Sequence, residues 1–343
     1  MQAHTPKMKA IRQYQFGGPE VLHYEEAPLP VIKRGELLIR VHAIGLNPPD
    51  WYLRKGYTNL PAAWRPALTF PIILSTDVSG VVTAVAEDVT TFMPGDEVYA
   101  MVRFPEGMFG ESKAYATYVT VPAEQVALKP KEIDHIHAAA APMSVLTAWQ
   151  FMIALGHQVP NPLQAETHIP VPLKGKKVLV NGAAGGVGHL AVQIAKWQGA
   201  HVIAVASGRH ESFLRSLGID EFIDYTQTDA HEEVDNLDLV IDGVGGPSTN
   251  RFLKTLKPGG SLFPIFPLGF DGAEEAKKLG VHVSATQVRS NGPQLATIAP
   301  LMDNGTLQVA IDSTFPLSAA SKAHERAEKG HLQGKIVLTV TEN

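Results

Sequence analysis

The chain has 343 residues, 45% hydrophobic and 18% charged, enough for a large core and for two domains, which excludes a disordered or coiled-coil protein. Its formal net charge of −5, with no run of like charge, excludes a nucleic-acid partner and a basic membrane patch. Having no cysteine, it has no disulfide, no thiolate nucleophile and no zinc site built on Cys, as fits a reducing compartment.

The first ten residues lack the apolar core of a signal peptide, and a cytoplasmic protein is expected. The first third then reads as β. Short apolar or β-branched runs at residues 21–24, 36–43, 78–85 and 97–102 are separated by Gly, Pro and Asp clusters, and Pro94-Gly95-Asp96 turns tightly into the last of them. The pattern predicts an antiparallel, barrel-like domain. His135-x-His137 opens the stretch that follows and reads as solvated polar residues at a helix start. Residues 138–155 are apolar and alanine-rich but carry Pro142, Ser144, Thr147 and Gln150; they predict a buried helix at a domain junction rather than a membrane span. The Pro-rich stretch 160–172 has no periodicity and reads as a surface excursion.

From residue 178 the rhythm changes. Strand candidates at 178–180, 202–206, 239–241 and 261–266 alternate with helical stretches at 187–198, 211–217 and 248–256, the signature of a parallel sheet with crossover helices. Pro258-Gly259-Gly260 is expected to stop the last of these helices. A helical segment near 318–330 and a β run at 335–340 finish the chain.

Residues 177–190 read as strand, tight turn and helix. Ala183-x-Gly185-x-x-Gly188 occupies the positions of a G-x-G-x-x-G fingerprint, with alanine at the first glycine. Gly185 lets backbone approach a pyrophosphate, Gly188 lets the helix sit close to the strand, and the helix N-terminus faces the phosphates. Ala183, Ala184, Gly185, Gly186, Val187 and Gly188 are therefore predicted to bind a dinucleotide. An NAD enzyme ends its second strand with Asp or Glu about 20 residues past the fingerprint. Here Ser207-Gly208-Arg209 stands instead, without a carboxylate; Ser207 and Arg209 are predicted to face a 2′-phosphate, and the cofactor is read as NADPH.

Gly45-Leu-Asn-Pro-Pro-Asp-Trp-Tyr-Leu-Arg-Lys-Gly, Asp77-Val-Ser-Gly-Val-Val, Pro94-Gly-Asp-Glu-Val, Leu146-Thr-Ala-Trp, the turn at 183–188, Asp242-Gly-Val-Gly-Gly and Gly334-Lys-Ile-Val-Leu form a set. Through them nearly the whole chain resembles the zinc-independent quinone-oxidoreductase branch of the medium-chain dehydrogenase/reductase superfamily. The resemblance implies an α/β fold: a GroES-like, partly open β-barrel made by both chain ends (1–135 and 303–343), with a Rossmann doubly wound parallel-sheet domain (136–302) between them. Zinc members of the superfamily have Cys where Asn47 stands, His near Thr76, and four further Cys in a structural lobe. None is present, nor is any H-E-x-x-H, so no metal is expected.

The implied activity is NADPH-dependent transfer of hydride to a quinone or to the C=C bond of an α,β-unsaturated carbonyl. By family position Asn47 and Tyr52 lie beside the nicotinamide and the substrate, and Thr147 at the carboxamide. Tyr52 is the candidate to hydrogen-bond the substrate carbonyl or relay a proton, or else an aromatic wall. Asp50 and Arg54 are expected to pair with one another. Asp242, Gly243, Val244, Gly245 and Phe266 are implied to pass the cofactor, Tyr225 to stand near the 2′-phosphate, and Lys335 to reach the pyrophosphate. Two alternatives share the scaffold: an enoyl-thioester reductase, which requires a basic patch not evident near Asn47, and a non-catalytic NADPH-binding protein. Family habit implies a homodimer joined at the Rossmann sheet edge, residues 281–285.

Overall fold

A computed structural model describes residues 6–58, 60–62, 65, 67–105, 113–159 and 167–340. Among them the strands Lys7–Arg12 (β1) and His23–Pro28 (β2) pair antiparallel as a two-stranded ribbon. The strand expected at 21–24 begins only at His23, because Pro19–Val21 form a 3-10 turn opened by Pro19.

The first large sheet is built on Glu36–Gly45 (β3), whose Leu37, Ile39, Val41, Ala43 and Ile44 are almost fully buried. The strand pairs antiparallel with Asp77–Val85 (β4), which pairs in turn with Glu97–Met101 (β5). Tyr118–Pro122 (β6) also pairs with β3, and Val126–Leu128 (β7) with β5. The helix Pro48–Arg54 (α1) leaves the end of β3.

Residues 138–155 do not form one helix. His135–Ala140 (α2) starts on Asp134, whose carboxylate accepts the His137 N–H at 2.9 Å, and Pro142–Met152 (α3) follows after a break. Pro142 has no N–H and sits at the first turn of the second helix, which forces the interruption. Every residue of α3 is buried, in keeping with the junction reading. The α2 helix packs on β3 and β4, and α3 packs on the first helix of the second domain.

That domain runs Lys177–Asn181 (β8), Gly188–Trp197 (α4), His201–Ala206 (β9), Glu211–Ser216 (α5), Glu221–Asp224 (β10), Ala230–Glu233 (α6) and Leu237–Asp242 (β11). It continues through Leu256–Pro264 (β12), Ala273–Leu279 (α7), His282–Val283 (β13) and Gly292–Asp303 (α8). All its strands are parallel, in the spatial order β10-β9-β8-β11-β12-β13. The chain therefore builds outward from β8 in one direction, then returns beside β8 and builds in the other. The crevice beyond the carboxyl ends of β8 and β11 is the topological switch point, where open α/β sheets bind their ligands. The strand β12 starts five residues earlier than predicted: Pro258-Gly259-Gly260 lies inside it rather than ahead of it, at the place where its register with β11 shifts.

The final elements, Ile311–Pro316 (β14), Ala320–Glu328 (α9) and Lys335–Thr339 (β15), leave the parallel sheet. The strand β15 pairs antiparallel with the end of β3, Val337 opposite Gly45, and carries β14 with it, so the C-terminus completes the first sheet. Of the Pro-rich stretch, residues 160–166 lie outside the described residues. His168 behind them is buried: its Nε2–H donates to Phe151 O (2.8 Å) and its Nδ1 accepts from Ser284 Oγ (2.8 Å). The end of the stretch is thus anchored between α3 and the segment after β13, instead of running free over the surface.

Candidate active site

The turn from β8 into α4 uses each glycine for a different reason. The left-handed residue is Gly182 (φ +74°), one position before the alanine that stands for the first fingerprint glycine, so Ala183 carries no strain. A Cβ on Gly188 would overlap the Gly182 carbonyl oxygen and come within 2.8 Å of Ala183 Cα, which is the close helix–strand approach the fingerprint requires. A Cβ on Gly185 would meet only Gly182 O, at 3.3 Å. The protein itself leaves that space open, and the cradle fits a phosphate drawn close to the backbone. The α4 helix has no side-chain N-cap, so its positive end is available to the same group. His189 steadies the turn. Its Nδ1–H donates to Gly185 O (2.8 Å) and its Nε2 accepts from Ala310 N–H (3.1 Å); burial, above all, lowers its pKa to about 4 and keeps it neutral.

At the end of β9, Ser207 and Arg209 lie on a 3-10 turn, with Arg209 exposed and in no ion pair among the described residues. Tyr225, 44% exposed, is tied to the same strand end by its N–H to Ala206 O (3.2 Å). The expectation of no carboxylate here needs correction. The parallel register sets Asp224 opposite Ala206, and its carboxylate lies beside Gly208, close enough that a Cβ there would clash with it. The acid comes from the neighbouring strand, which the spacing rule along β9 does not examine. Both the Thr226 hydroxyl (2.7 Å) and the Thr226 N–H (2.9 Å) bond its Oδ1, and these bonds hold its pKa below the ordinary value.

Across the crevice, Asp242 is fully occupied. Its Oδ1 accepts from Asn181 Nδ2 (2.8 Å), Val244 N–H (3.0 Å) and Gly245 N–H (3.2 Å), and its Oδ2 from the Thr249 hydroxyl. Its work is to shape the turn at Gly243 and Val244, leaving Val244 58% exposed beside Gly182.

The two domains meet where Tyr52 of α1 faces Phe266, just past β12, with ring centroids 5.8 Å apart. Thr147 is buried; its hydroxyl hydrogen is given to Met143 O (2.7 Å), which leaves its oxygen as an acceptor fit for a carboxamide N–H. Asn47 caps α1 and is 1% exposed, with Asp50 Oδ2 accepting its N–H at 2.8 Å. Its side-chain oxygen accepts from Lys335 Nζ, which also donates to Leu46 O (2.8 Å). Its buried Nδ2 is turned to Asp77, whose ionised form it favours. Lys335 thus spends its ammonium on Asn47, while its stem crosses Gly186, where a Cβ would stand 2.9 Å from Lys335 Cδ.

Charge is dense beneath this corner. Asp50 is fully enclosed and burial raises its pKa to about 7; Asp77, whose Oδ2 accepts from Met143 N–H (2.9 Å), is raised to about 6 by the same cause. Burial also lowers Lys335, and both carboxylates oppose that shift. The expected Asp50–Arg54 pair does not form. Their i,i+4 spacing would allow it, but other partners win: Asp50 closes the capping box, while buried Arg54 reaches Gly17 O (3.1 Å), His324 Nδ1 (2.9 Å) and Glu328. Asn47 and Thr76, the positions set against the zinc ligands, are engaged with other groups. The Asn47 amide oxygen already holds the Lys335 cation, and the Thr76 hydroxyl donates to Asp77 (3.3 Å). Among the described residues one group, Asp229, His231 and Glu232 at the surface, has metal-ligand spacing. Sequence reasoning missed His189, Asp224 and the Lys335–Asn47 bond, since each depends on partners from distant strands.

Residues 33–131 match the family model described as "Alcohol dehydrogenase GroES-like domain", and residues 217–338 the one described as "Zinc-binding dehydrogenase". The mouse (Mus musculus) "NAD(P)H oxidoreductase RTN4IP1, mitochondrial" is 35% identical, with 95% of this chain and 87% of that protein covered. The Arabidopsis thaliana "NADPH-dependent alkenal/one oxidoreductase, chloroplastic" is 33% identical over 98% of this chain and 81% of its own length. Among solved structures, the quinone oxidoreductase from Coxiella burnetii superposes with a TM-score of 0.83 at 32% identity, covering 98% of this chain and all of that one. With such likeness along almost its whole length, the chain belongs to the medium-chain dehydrogenase/reductase superfamily, among its quinone and NAD(P)H oxidoreductases, and is an oxidoreductase that uses a nicotinamide cofactor.

Proposed function

We propose that the protein is an NADPH-dependent, zinc-free reductase of quinones or of the C=C bond of α,β-unsaturated carbonyls. The observation that carries the reading is the meeting of Tyr52 with Phe266 across the two domains, with Asn47, at the start of the same helix as Tyr52, held by the Lys335 ammonium. A reduced nicotinamide bound there supplies hydride to an electron-poor carbon. Without a Lewis acid, simple ketones lose their usual activator, and acceptors whose own conjugation takes up the charge are favoured. In this reading Thr147 orients the carboxamide, Tyr52 hydrogen-bonds the acceptor carbonyl, and Asn47 lies beside the nicotinamide.

The NADPH preference rests on Arg209, Ser207 and Tyr225 at the end of β9, set against the Asp224 carboxylate beside them. An exposed guanidinium facing a dianionic phosphate outweighs an acid already held by Thr226. A homodimer through the β13 edge and a cytoplasmic setting belong to the same proposal. One experiment tests the whole: cofactor oxidation followed across a panel of quinones, enals and enones, with NADPH or NADH, with and without exhaustive chelation. Turnover with NADPH that survives chelation is expected, and Arg209→Ala is expected to weaken NADPH about tenfold, leaving NADH unchanged. Silence across the panel with intact NADPH binding would favour the non-catalytic reading, and recovery of lost activity by zinc would sink the metal-free one.

A further inference from the structure

Lys113 lies 2% exposed at the start of the segment that crosses behind α1. The following residues fix its place: Ala114 N–H donates to Ser75 O (3.3 Å) and Tyr115 N–H to Leu74 O (3.0 Å). Ser75 is also the second backbone donor to Asp50, so Lys113 comes up beside that enclosed carboxylate. Lys113 is thus tied through Ser75 and Asp50 to the start of α1, the helix whose Tyr52 faces the corner that the proposed function assigns to the acceptor. On that helix Tyr52 lies 6.2 Å from Tyr57 between ring centroids and faces Phe266. The Lys113 Nζ is buried and has no hydrogen-bond partner among the described residues. Asp50 acts on it through charge alone and does not hydrogen-bond it.

An ammonium out of water with three unmet donors is costly, and an oxygen ligand removes that cost. We propose that Lys113 is a catalytic residue, whose ammonium binds the carbonyl oxygen of the quinone or enone acceptor, beside Tyr52, and protonates it during reduction. The proposal rests on the reductase reading above. The acceptor gains a C–H bond from the reduced nicotinamide, which is thereby oxidised, and the π pair of its conjugated system moves onto the carbonyl oxygen. An N–H bond of Lys113 breaks as the O–H bond forms. The product is the enol, which rearranges to the saturated ketone; from a quinone it is the keto tautomer of the hydroquinone, which loses the new C–H proton to water as its second oxygen takes one up. Water then reprotonates the amine.

The surroundings suit the task. Burial chiefly, with Arg103 adding to it and Asp50 opposing, brings Lys113 to a pKa of about 7, matched to proton delivery at neutral pH. Burial moves Tyr52 the other way, above 10, which suits it to hold the oxygen rather than to supply the proton. The groups facing Asp50 in turn are Tyr57, Asp77, Tyr115 and Lys335.

The test compares the full chain with Lys113→Met, Lys113→Gln and Lys113→Arg. One readout is the affinity, in the presence of NADP+, for 2-hydroxy-1,4-naphthoquinone, an anion at pH 7 that resembles the charged intermediate; another is the pH profile of kcat. Both neutral variants are expected to bind the anion about tenfold more weakly, with Lys113→Arg restoring most of the affinity. The basic limb of the profile near pH 7 is expected to disappear in both. Unchanged anion affinity and an unchanged profile in either neutral variant would overturn the assignment, marking Lys113 as a structural counter-ion to Asp50. Failure of the reductase reading appears separately, as a wild-type chain that binds the anion through Lys113 yet turns over no acceptor.

Discussion

At the scale of single residues, the buried ion chain behind α1 sets a measurable pH dependence. The Arg54 guanidinium donates to His324 Nδ1, so that nitrogen is an acceptor and His324 Nε2–H must donate to Tyr115 Oη at 2.9 Å. Burial first, then the Arg54 charge, lowers the His324 pKa from 6.5 to about 3. The unfolded chain takes up a proton at this position below pH 6.5, whereas the folded chain does not until about pH 3. The unfolded state therefore binds more protons in that window, and stability rises with pH through it. Asp50, raised instead, works in the opposite sense, so the clean observable is a difference between proteins. Urea unfolding of the wild type and His324→Gln should show the wild-type advantage shrinking by about 2 kcal/mol between pH 7 and pH 5. A difference that does not change with pH would mean that His324 is not held neutral.

At the scale of elements, the turn between β8 and α4 separates two demands that a glycine pattern merges. Replacing Gly188 by alanine drives a methyl into the Gly182 carbonyl and should cost about 2–3 kcal/mol of stability with or without cofactor. Replacing Gly185 by alanine meets no protein atom closer than 3.3 Å, so folding should change by less than about 1 kcal/mol. NADPH affinity should nevertheless fall about tenfold or more, because the methyl fills the cradle left for the pyrophosphate. Equal NADPH affinity in Gly185→Ala would place the phosphates elsewhere. This turn, its strand and its helix were legible in the sequence because they are local: Asn181 to Ala195 carries the strand, the glycines and the apolar stripe in one window. The break at Pro142 was legible too, as a proline inside an apolar run, yet apolar content outweighed it in the reading. Asp224 beside Gly208, Lys335 on Asn47 and Lys113 beside Asp50 were not legible. Strand register or chain crossing sets each of these pairs, over separations from 16 to 288 residues that no periodicity spans.

At the scale of the whole molecule, the barrel and the Rossmann sheet share more than a cleft. One hydrophobic cluster runs from Ile39 and Val98 of the first sheet through Ala138–Met152 of the junction helices to Val178, Leu190 and Ala204 of the second. Backbone also crosses between them: Gly334 N–H donates to Ala184 O (2.8 Å), so β15 of the first sheet is bonded to the dinucleotide turn of the second. Tyr99 Oη of β5 donates to Leu295 O of α8 (2.7 Å), closing the far side. Domains joined by a polar cleft alone unfold separately, but a continuous core couples them. Calorimetry should therefore show one transition for the full chain. NADPH at about 100 times its Kd should stabilise that transition as a unit, by about 2.7 kcal/mol. The coupling has a direct control, because Gly185→Ala should abolish most of the NADPH shift while leaving the single transition intact. Two resolved transitions, only one of them moving with NADPH, would show that the shared core does not bind the domains into one cooperative unit.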